Sequence, residues 1–204
     1  MRRLLIILAV ICCTCTAGVA QTYERLSDHE QSLFGKKVFV SGDYETMKSI
    51  HRYWVQESIR LKGRNYEFAH LGVNDGVLKV TIPSRVLFQQ EDSVLSLQAD
   101  GLLRPFLRLV RGDDALATLV ITCHSDNNGS DRYLNDMTAS RAHSLSEWFA
   151  KQGTNAVALS TYGIGKKVPR TDNSSMAARE RNRRVTLYLV PNKKMLKLAK
   201  KGKL

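Results

Sequence analysis

The alternation of apolar and polar residues predicts a β-hairpin in the first half of the chain. Residues 66–73 and 77–82 are rich in apolar side chains, and in the second segment these alternate with Lys79 and Thr81. Such alternation buries one face of a strand. Between the segments, Asn74-Asp75-Gly76 has the composition of a tight turn with positive φ. We therefore expect two antiparallel strands here.

Helices are predicted where apolar residues recur about every 3.6 positions. They cover residues 44–62 (stopped by Gly63), about 97–110, 138–152 (capped by Thr138) and a short segment around 174–181. Pro105 falls inside the second helix, so we expect a kink there or a later start. Further strands are expected at residues 116–123, near 158–163 and at 185–190, and the first of these is apolar enough for burial on both faces.

From residue 77 onward this order is β-α-β-α-β with a terminal strand, which predicts an α+β fold with helices packed on a mixed sheet. We assign residues 66–190 to this domain. Residues 21–65 form an N-terminal extension that is partly helical, with one short strand at Lys37–Val40. Its aromatic residues Tyr44, Tyr53 and Trp54 either dock a partner or pack on the neighbouring domain.

The first 20 residues have the pattern of an export signal. A basic start, Met1-Arg2-Arg3, precedes an apolar run over residues 4–13 and the small-residue exit Gly18-Val19-Ala20. This pattern predicts cleavage after Ala20, and Cys123 would then be the only cysteine of the mature chain. The alternatives are an uncleaved membrane anchor and lipid attachment at one of three early cysteines, Cys12, Cys13 or Cys15.

Positive charge is concentrated at the C-terminus. Residues 191–204 contain six lysines and no acid, and they supply six of the net charge of +12. We expect this lysine-rich tail to be a solvated, disordered end, with attraction to anionic lipid or polysaccharide as the alternative. A nucleic-acid partner would call for a basic face on the fold itself, so we expect none.

Residues 121–142 contain Cys123-His124-Ser125-Asp126 and then Met137-Thr138 with Arg141. Together with three further segments, they resemble the OmpA-like peptidoglycan-binding family, over roughly residues 66–190. Cys123-His124-Ser125-Asp126 with Gly129 is similar to the family's Gly-His-Thr-Asp-x-x-Gly loop, and Met137-Thr138-x-x-Arg141-Ala142 to its Leu-Ser-x-x-Arg-Ala helix start. The other matches are Leu87-Phe88 for a Leu-Phe step, Tyr162-Gly163-Ile164-Gly165 for a Gly-x-Gly turn, and Arg179 with Asn182-Arg183-Arg184-Val185 for the closing motif. The resemblance implies an OmpA-like β-α-β-α-β sandwich with a mixed parallel and antiparallel sheet.

The resemblance also implies a ligand site. In the family, the positions of Asp126 and Arg141 hold the amino and carboxylate groups of diaminopimelate in the peptidoglycan stem peptide. His124 supports the loop, Gly129 permits its turn, and Asn182, Arg183 and Arg184 line the cleft. Independently, an Arg in the first turn of a helix starting at Thr138 opposes the helix dipole and gains most from a ligand carboxylate. The alternative is that Asp126 and Arg141 pair only with each other.

Three positions depart from the family pattern. Cys123 stands where the loop usually has Gly, Leu134 where an Asn is common, and Gln89 where an acid often follows the Phe. Asn135 or Asp136 is a candidate replacement for the missing Asn. These departures make a reduced affinity conceivable.

Non-covalent peptidoglycan binding, which anchors envelope components to the wall, is the function that the resemblance implies. The alternative is a wall-anchoring subunit of an envelope-spanning secretion or motor machine, with residues 21–65 docking an envelope protein. We find no paired carboxylates, metal ligands or activated nucleophile for an enzyme, and no cofactor site. The expected location is the periplasm, in association with the wall and the outer membrane.

Overall fold

Six strands form one mixed sheet in the part of the chain that the computed structural model describes, which is residues 23–24, 27–34, 40, 42–63, 65–71 and 76–204. The strands are β1 (Tyr23–Glu24), β2 (Glu67–Leu71), β3 (Val77–Pro83), β4 (Ala117–His124), β5 (Leu159–Gly165) and β6 (Arg184–Pro191). The helices are α1 (Asp28–Phe34), α2 (Tyr44–Arg60), α3 (Ser84–Leu87), α4 (Ala99–Val110), α5 (Asp131–Lys151), α6 (Met176–Asn182) and α7 (Lys193–Lys200).

The strand order is β1-β2-β3-β6-β4-β5. Strand β6 is antiparallel to both β3 and β4, while β4 and β5 are parallel. The predicted α+β fold with helices on a mixed sheet is confirmed. The expected hairpin is also present as β2 and β3, which pair antiparallel; its turn residues Asn74 and Asp75 lie outside the described residues.

The two faces of the sheet are covered differently. Alternate residues of β6, such as Leu187, pack with α2, α4, α5 and α7 in the main core, whereas Tyr188 and Val190 face the other side together with Phe34 of α1. The Tyr188 hydroxyl donates a 2.6 Å hydrogen bond to Glu30 of α1. As predicted for β4, both faces of the central strands are buried.

Helix α1 lies near the start of the N-terminal extension, at residues where no helix was expected. It buries Glu30 and Phe34 against the sheet, and two anchors in seven residues are too few to show a period. The sequence does contain one signal for the start of this helix, a capping box. The side chains of Ser27 and Glu30 each accept a hydrogen bond from the other residue's backbone N–H group. The expected strand at Lys37–Val40 lies mostly outside the described residues, and Val40 belongs to no regular element.

Helix α2 confirms the prediction for residues 44–62. Asp43 caps its N-terminus, and Gly63 follows its end with φ of 90°, a conformation that glycine adopts without strain. Trp54 is fully buried and its indole N–H donates to the carbonyl of Gly76 at 2.8 Å. Residues 44–60 therefore share the core of the domain, as the packing alternative expected, while Tyr44 stays exposed.

Helix α4 runs through Pro105 without a later start, so that alternative was wrong, and the other alternative, a kink at Pro105, stays a prediction. Pro105 removes the backbone donor that would bond the carbonyl of Gly101, and Gly101 is exposed, so water can serve that carbonyl. The buried apolar face of the helix, with Leu103 and Phe106 fully enclosed, outweighs the lost bond.

Thr138 does not cap the helix over residues 138–152, contrary to the prediction. Helix α5 begins at Asp131, and the Ser130 hydroxyl accepts from the N–H of Tyr133 at 3.2 Å. Thr138 is buried within the helix, where its hydroxyl donates to the carbonyl of Leu134 and accepts from the N–H of Gly165 in β5. The first two turns carry many polar residues, which made them resemble a loop.

The lysine-rich tail is not a disordered end, so that expectation was wrong as well. Residues 193–200 form α7, which packs against α2 and buries Met195 and Ala199 in the main core. Asn192 caps the helix by accepting from the N–H of Met195. Met195 and Ala199 lie one turn apart and bury one side of the helix. The many lysines around them hid this short apolar pattern in the sequence.

No helix within the described ranges is long and apolar enough to cross a membrane.

Replacing Met195 by Ala should lower the free energy of unfolding by about 2–5 kcal/mol, because it leaves a cavity beneath α7. The matched control is Met176→Ala, since Met176 is also helical but 75% exposed, and its effect should stay within about 0.5 kcal/mol. Urea denaturation monitored by tryptophan fluorescence measures both. Equal midpoints for the two variants would contradict the docking of α7.

Gly163→Ala should destabilise the fold by about 1–3 kcal/mol through overpacking. A Cβ at residue 163 would lie 2.4 Å from the backbone nitrogen of Ala139, so α5 and β5 could not keep their spacing. Gly101→Ala is the control: its Cβ would meet nothing within 4 Å, so it should be neutral or stabilising by up to about 1 kcal/mol. Thermal melts that rank the two variants in the opposite order would refute this close contact.

Candidate functional site

A cavity of about 530 Å³ opens where β4 ends. The loop after β4 forms one wall, α5 a second, and α3 with the segment that follows it a third; α6 and its C-terminal end close the fourth. Its lining residues are Ser84, Arg85, Phe88, Gln89, Gln90, Glu91, Ser125, Asp126, Asn128, Tyr133, Leu134, Met137, Arg141, Glu180 and Arg183.

The strand end positions Asp126. The pairing of β4 with β5 shifts register between Cys123 and His124, and such a bulge re-aims the residues that follow. The N–H of Ser125 then bonds the carbonyl of Gly165 at 2.9 Å. The loop turns through Gly129, whose φ of 138° suits glycine.

Asp126 is almost fully buried and uses both carboxylate oxygens. One oxygen accepts from the N–H of Asn128 at 3.1 Å, and the other accepts from the guanidinium of Arg183 at 2.5 Å. Arg183 also bonds Glu180 at 2.5 Å, and Glu180 in turn pairs with Arg85 at 3.0 Å. Burial alone would lower the pKa of Arg183, but its bonds to Glu180 and Asp126 outweigh this and raise the pKa. One side of the cavity is thus a connected chain of alternating charges.

Arg141 stands on the other side of the cavity with its charge unpaired. Its Nε donates to the carbonyl of Asp92 at 2.8 Å, and its guanidinium carbon lies 5.0 Å from the ring centre of Phe88. No carboxylate in the described ranges lies within ion-pair distance of it. Partial burial lowers the pKa of Arg141, yet an arginine stays protonated in proteins. Its two terminal amino groups are therefore available to a ligand.

Two sequence-based interpretations of this pair were wrong. Arg141 is the eleventh residue of α5, so the argument from a dipole at the first helical turn does not apply to it. Asp126 and Arg141 also do not pair with each other, because Arg183 occupies the Asp126 carboxylate. The two side chains line the same cavity as separate charges.

His124 does not line the cavity. It is 1% exposed, and its Nε2 lies 2.8 Å from the hydroxyl of Thr122. Burial lowers the pKa of His124 well below its ordinary value, so the ring is neutral. It is the last residue of β4, directly before the loop that carries Asp126.

Arg184 does not line the cavity, contrary to the expectation, and neither does Asn182. Its side-chain oxygen accepts from the N–H groups of Arg170 and Thr171, and its amide nitrogen donates to Thr171 and Asn173. All its hydrogen-bonding groups are thus spent on the loop before α6. Asn182 sets the position from which the next residue, Arg183, reaches Asp126.

Sequence reasoning missed several residues of the cavity. Glu180 and Arg85 join the charge chain, and the segment from Phe88 to Asp92 holds Arg141 from the opposite wall. Phe88 belonged to a quoted motif, but nothing local in the sequence indicates that its ring lies against a guanidinium 53 positions away. That contact exists only in the folded chain.

The three departures from the family pattern have different consequences. Cys123 is buried at the end of β4, and burial raises the pKa of its thiol to about 12, which makes it inert as a nucleophile. Leu134 and Gln89 both line the cavity, whereas Asn135 and Asp136 do not. Neither of these two therefore takes the place of the missing Asn.

Within the described residues, no three His, Cys, Asp or Glu side chains gather as metal ligands would. The groups that face the cavity can bind charges and donate hydrogen bonds. An ion-paired carboxylate, an unpaired guanidinium and an aromatic ring suit a small polar ligand with both charges.

Part of the chain is similar to known proteins. Residues 87–183 match the profile of the OmpA family. The chain is 28% identical to outer membrane protein A of Bordetella avium over 116 residues, and 30% identical to the outer-membrane lipoprotein YfiB of Pseudomonas aeruginosa over 106 residues. These matches cover 57% and 52% of this chain, and 59% and 62% of the two relatives.

A solved structure has the same fold. The cell wall anchor of the T6SS from Pseudomonas aeruginosa superposes with a TM-score of 0.55 at 21% identity, over 69% of this chain and 96% of the anchor. The matched range includes four parts of the cavity lining: the segment at Phe88, the loop that carries Asp126, the part of α5 that carries Arg141, and Arg183. Residues 87–183 of this chain therefore resemble a domain of the OmpA family.

Proposed function

We propose that this protein binds peptidoglycan non-covalently through the cavity and thereby anchors envelope components to the cell wall. Arg141 is the observation that carries the proposal. A positive charge is held in place by the carbonyl of Asp92 and the ring of Phe88, but it has no carboxylate partner in the described part of the chain. A partly desolvated guanidinium with free donors favours a carboxylate that binds it bidentately.

The charges around the cavity indicate the type of ligand. Its charged lining residues are three arginines and three acids: Arg85, Arg141, Arg183, Glu91, Asp126 and Glu180. Such a balance suits a group that carries no net charge. Arg141 offers a site for a carboxylate, and Asp126, already bonded to Arg183, can accept a further bond from an ammonium through its remaining lone pairs.

Diaminopimelate in a stem peptide has such a group. The free end of its side chain carries an ammonium and a carboxylate on one carbon, whereas lysine at the same position carries the ammonium alone. In the OmpA-like family the positions of Asp126 and Arg141 hold these two groups. We therefore assign the carboxylate to Arg141 and the ammonium to Asp126, with Arg183 positioning Asp126.

The relatives support a place in the cell envelope, since two are named as outer-membrane proteins and one structure as a cell wall anchor. Export by residues 1–20 and a periplasmic location remain predictions, because those residues lie outside the described ranges. Anchoring requires no chemical step, and the buried, neutral Cys123 and His124 offer no nucleophile at the cavity. A role in an envelope-spanning machine, with residues 21–65 as the docking segment, stays the alternative.

Arg141→Ala should weaken binding of a diaminopimelate-containing stem peptide roughly ten- to a hundredfold, because a charged hydrogen bond is worth about 1.5–3 kcal/mol. Arg132→Ala is the matched control: Arg132 is in the same helix and its side chain is 94% exposed, so binding should not change. The wild type should also bind the lysine-containing peptide more weakly, and Arg141→Ala should barely distinguish the two peptides. Isothermal titration measures all five affinities: two peptides with the wild type, two with Arg141→Ala, and the diaminopimelate peptide with Arg132→Ala.

Equal affinity of the wild type and Arg141→Ala for the diaminopimelate peptide would remove Arg141 from the site. A preference of Arg141→Ala for that peptide over its lysine counterpart would show that another group reads the carboxylate. Melting temperatures should stay close to that of the wild type, since Arg141 lies at the cavity wall and not in the apolar core.

Asp126→Asn should weaken binding by a similar factor, because the amide cannot pair with an ammonium as the carboxylate does. The matched control is Asp136→Asn, since Asp136 has a side chain 75% exposed and lies outside the cavity. Because Asp126 and Arg141 hold one zwitterionic group, Asp126→Asn/Arg141→Ala should lose less than the sum of the single losses in binding free energy. Strictly additive losses in the same titrations would mean that the two residues bind separate groups.

A further inference from the structure

A second surface of the protein carries concentrated positive charge. Lys193, Lys197 and Lys200 of α7 and its C-cap residue Lys201 follow the spacing i, i+4, i+7, i+8, and all four are exposed. This spacing places them along one side of the helix, opposite the side that buries Met195 and Ala199. Docking of α7 therefore turns a lysine-rich sequence into a fixed row of ammonium groups.

Helix α2 extends this row. A groove of about 450 Å³ lies between the two helices, and Lys48 and Arg52 of α2 line it together with Lys200. Both α2 residues are exposed and lie one turn apart. We call the six residues Lys48, Arg52, Lys193, Lys197, Lys200 and Lys201 the basic face.

The charges of the basic face are only partly compensated. None of its six residues forms an ion pair with a carboxylate within the described ranges, whereas the neighbouring Lys194 pairs with Asp114 at 2.5 Å. Asp43 and Glu45 also line the groove, and they leave four positive charges in excess. The Asp43 carboxylate is already engaged, because it accepts from the N–H and the hydroxyl of Thr46.

The basic face and the cavity lie at opposite ends of β6. Arg183, at the cavity, immediately precedes this strand, and α7 follows its other end at Pro191. Eight residues of strand separate the two ends by roughly 23 Å. A ligand in the cavity therefore leaves the basic face free to contact a second surface.

We propose that the basic face binds the anionic phosphate headgroups of a phospholipid membrane. A row of ammonium groups on an outward-facing helix suits a flat array of phosphates, and each such residue strengthens binding to an anionic leaflet about fivefold. Tyr44 supports this occupant: it is 69% exposed at the start of α2, and Lys48 lies 5.6 Å from its ring centre. Aromatic rings beside cationic side chains are typical of the headgroup layer. The proposal does not depend on what fills the cavity.

Vesicle co-sedimentation tests this interaction with residues 21–204, which contain every described element and lack the apolar run at 4–13. The probes are vesicles of equal parts phosphatidylglycerol and phosphatidylcholine, and vesicles of phosphatidylcholine alone. The wild type should bind only the anionic vesicles, and less tightly as salt rises. Replacing Lys193, Lys197, Lys200 and Lys201 by Gln should reduce the affinity roughly a hundredfold or more.

The control variant removes the same charge elsewhere, by Gln at the exposed residues Arg104, Arg132, Lys151 and Lys167, and should lose less than about threefold. Equal losses in both variants, equal binding to neutral vesicles, or no binding of the wild type to anionic vesicles would each overturn the proposal. Loss of binding to purified wall sacculi by the lysine variant, with vesicle binding intact, would assign the face to the wall instead. Arg141→Ala should bind vesicles as the wild type does, which separates this surface from the cavity.

Discussion

The rest of the structure depends on the insertion of β6 between β3 and β4. The last strand of the sequence pairs on both sides with strands that precede it by more than 60 residues, and all eight of its residues are buried. Its residues Val185, Leu187 and Leu189 pack with the helical layer, and Tyr188 and Val190 pack on the other side with Phe34 of α1. Because both edges of β6 are hydrogen-bonded, its two ends are fixed in space, and each end carries one of the charged surfaces.

At the first end, the cavity divides its arginines between two tasks. Arg183 is neutralised by Asp126 and Glu180, so it holds the shape of the site. Arg141 is held through Nε and its aromatic neighbour Phe88, which leaves its remaining donors open. A buried carboxylate without a partner would be costly, so the ion pair with Arg183 holds Asp126 in place before a ligand arrives.

At the second end, the apolar side of α7 determines what its lysines can do. On a disordered tail the lysine charges would have no fixed positions, and salt would screen each of them over about 8–10 Å at physiological ionic strength. Met195 and Ala199 fix the helix on α2, which brings Lys200 next to Lys48 and Arg52. The same burial that stabilises the fold thus organises the basic face.

The sequence by itself determined the strand alternation of the hairpin, the apolar spacing of α2 and α4, and the motif residues at 123–129 and 137–142. These features are local: a period of 2 or 3.6, or a spacing within about 20 residues, is visible without a fold. From them one could predict the α+β architecture, and one could predict that Asp126 and Arg141 belong to the same site.

Only the tertiary structure decided which charges meet and which lysines are fixed. Arg183 reaches Asp126 across 57 positions, and Arg141 reaches Asp92 across 49; no local pattern encodes either contact. The start of α5 and the order of α7 were mispredicted for the same reason. Their polar sequences resemble loop or tail, and they become helices because a few buried contacts, Thr138 with Gly165 and Met195 with the core, are made with residues distant in the chain.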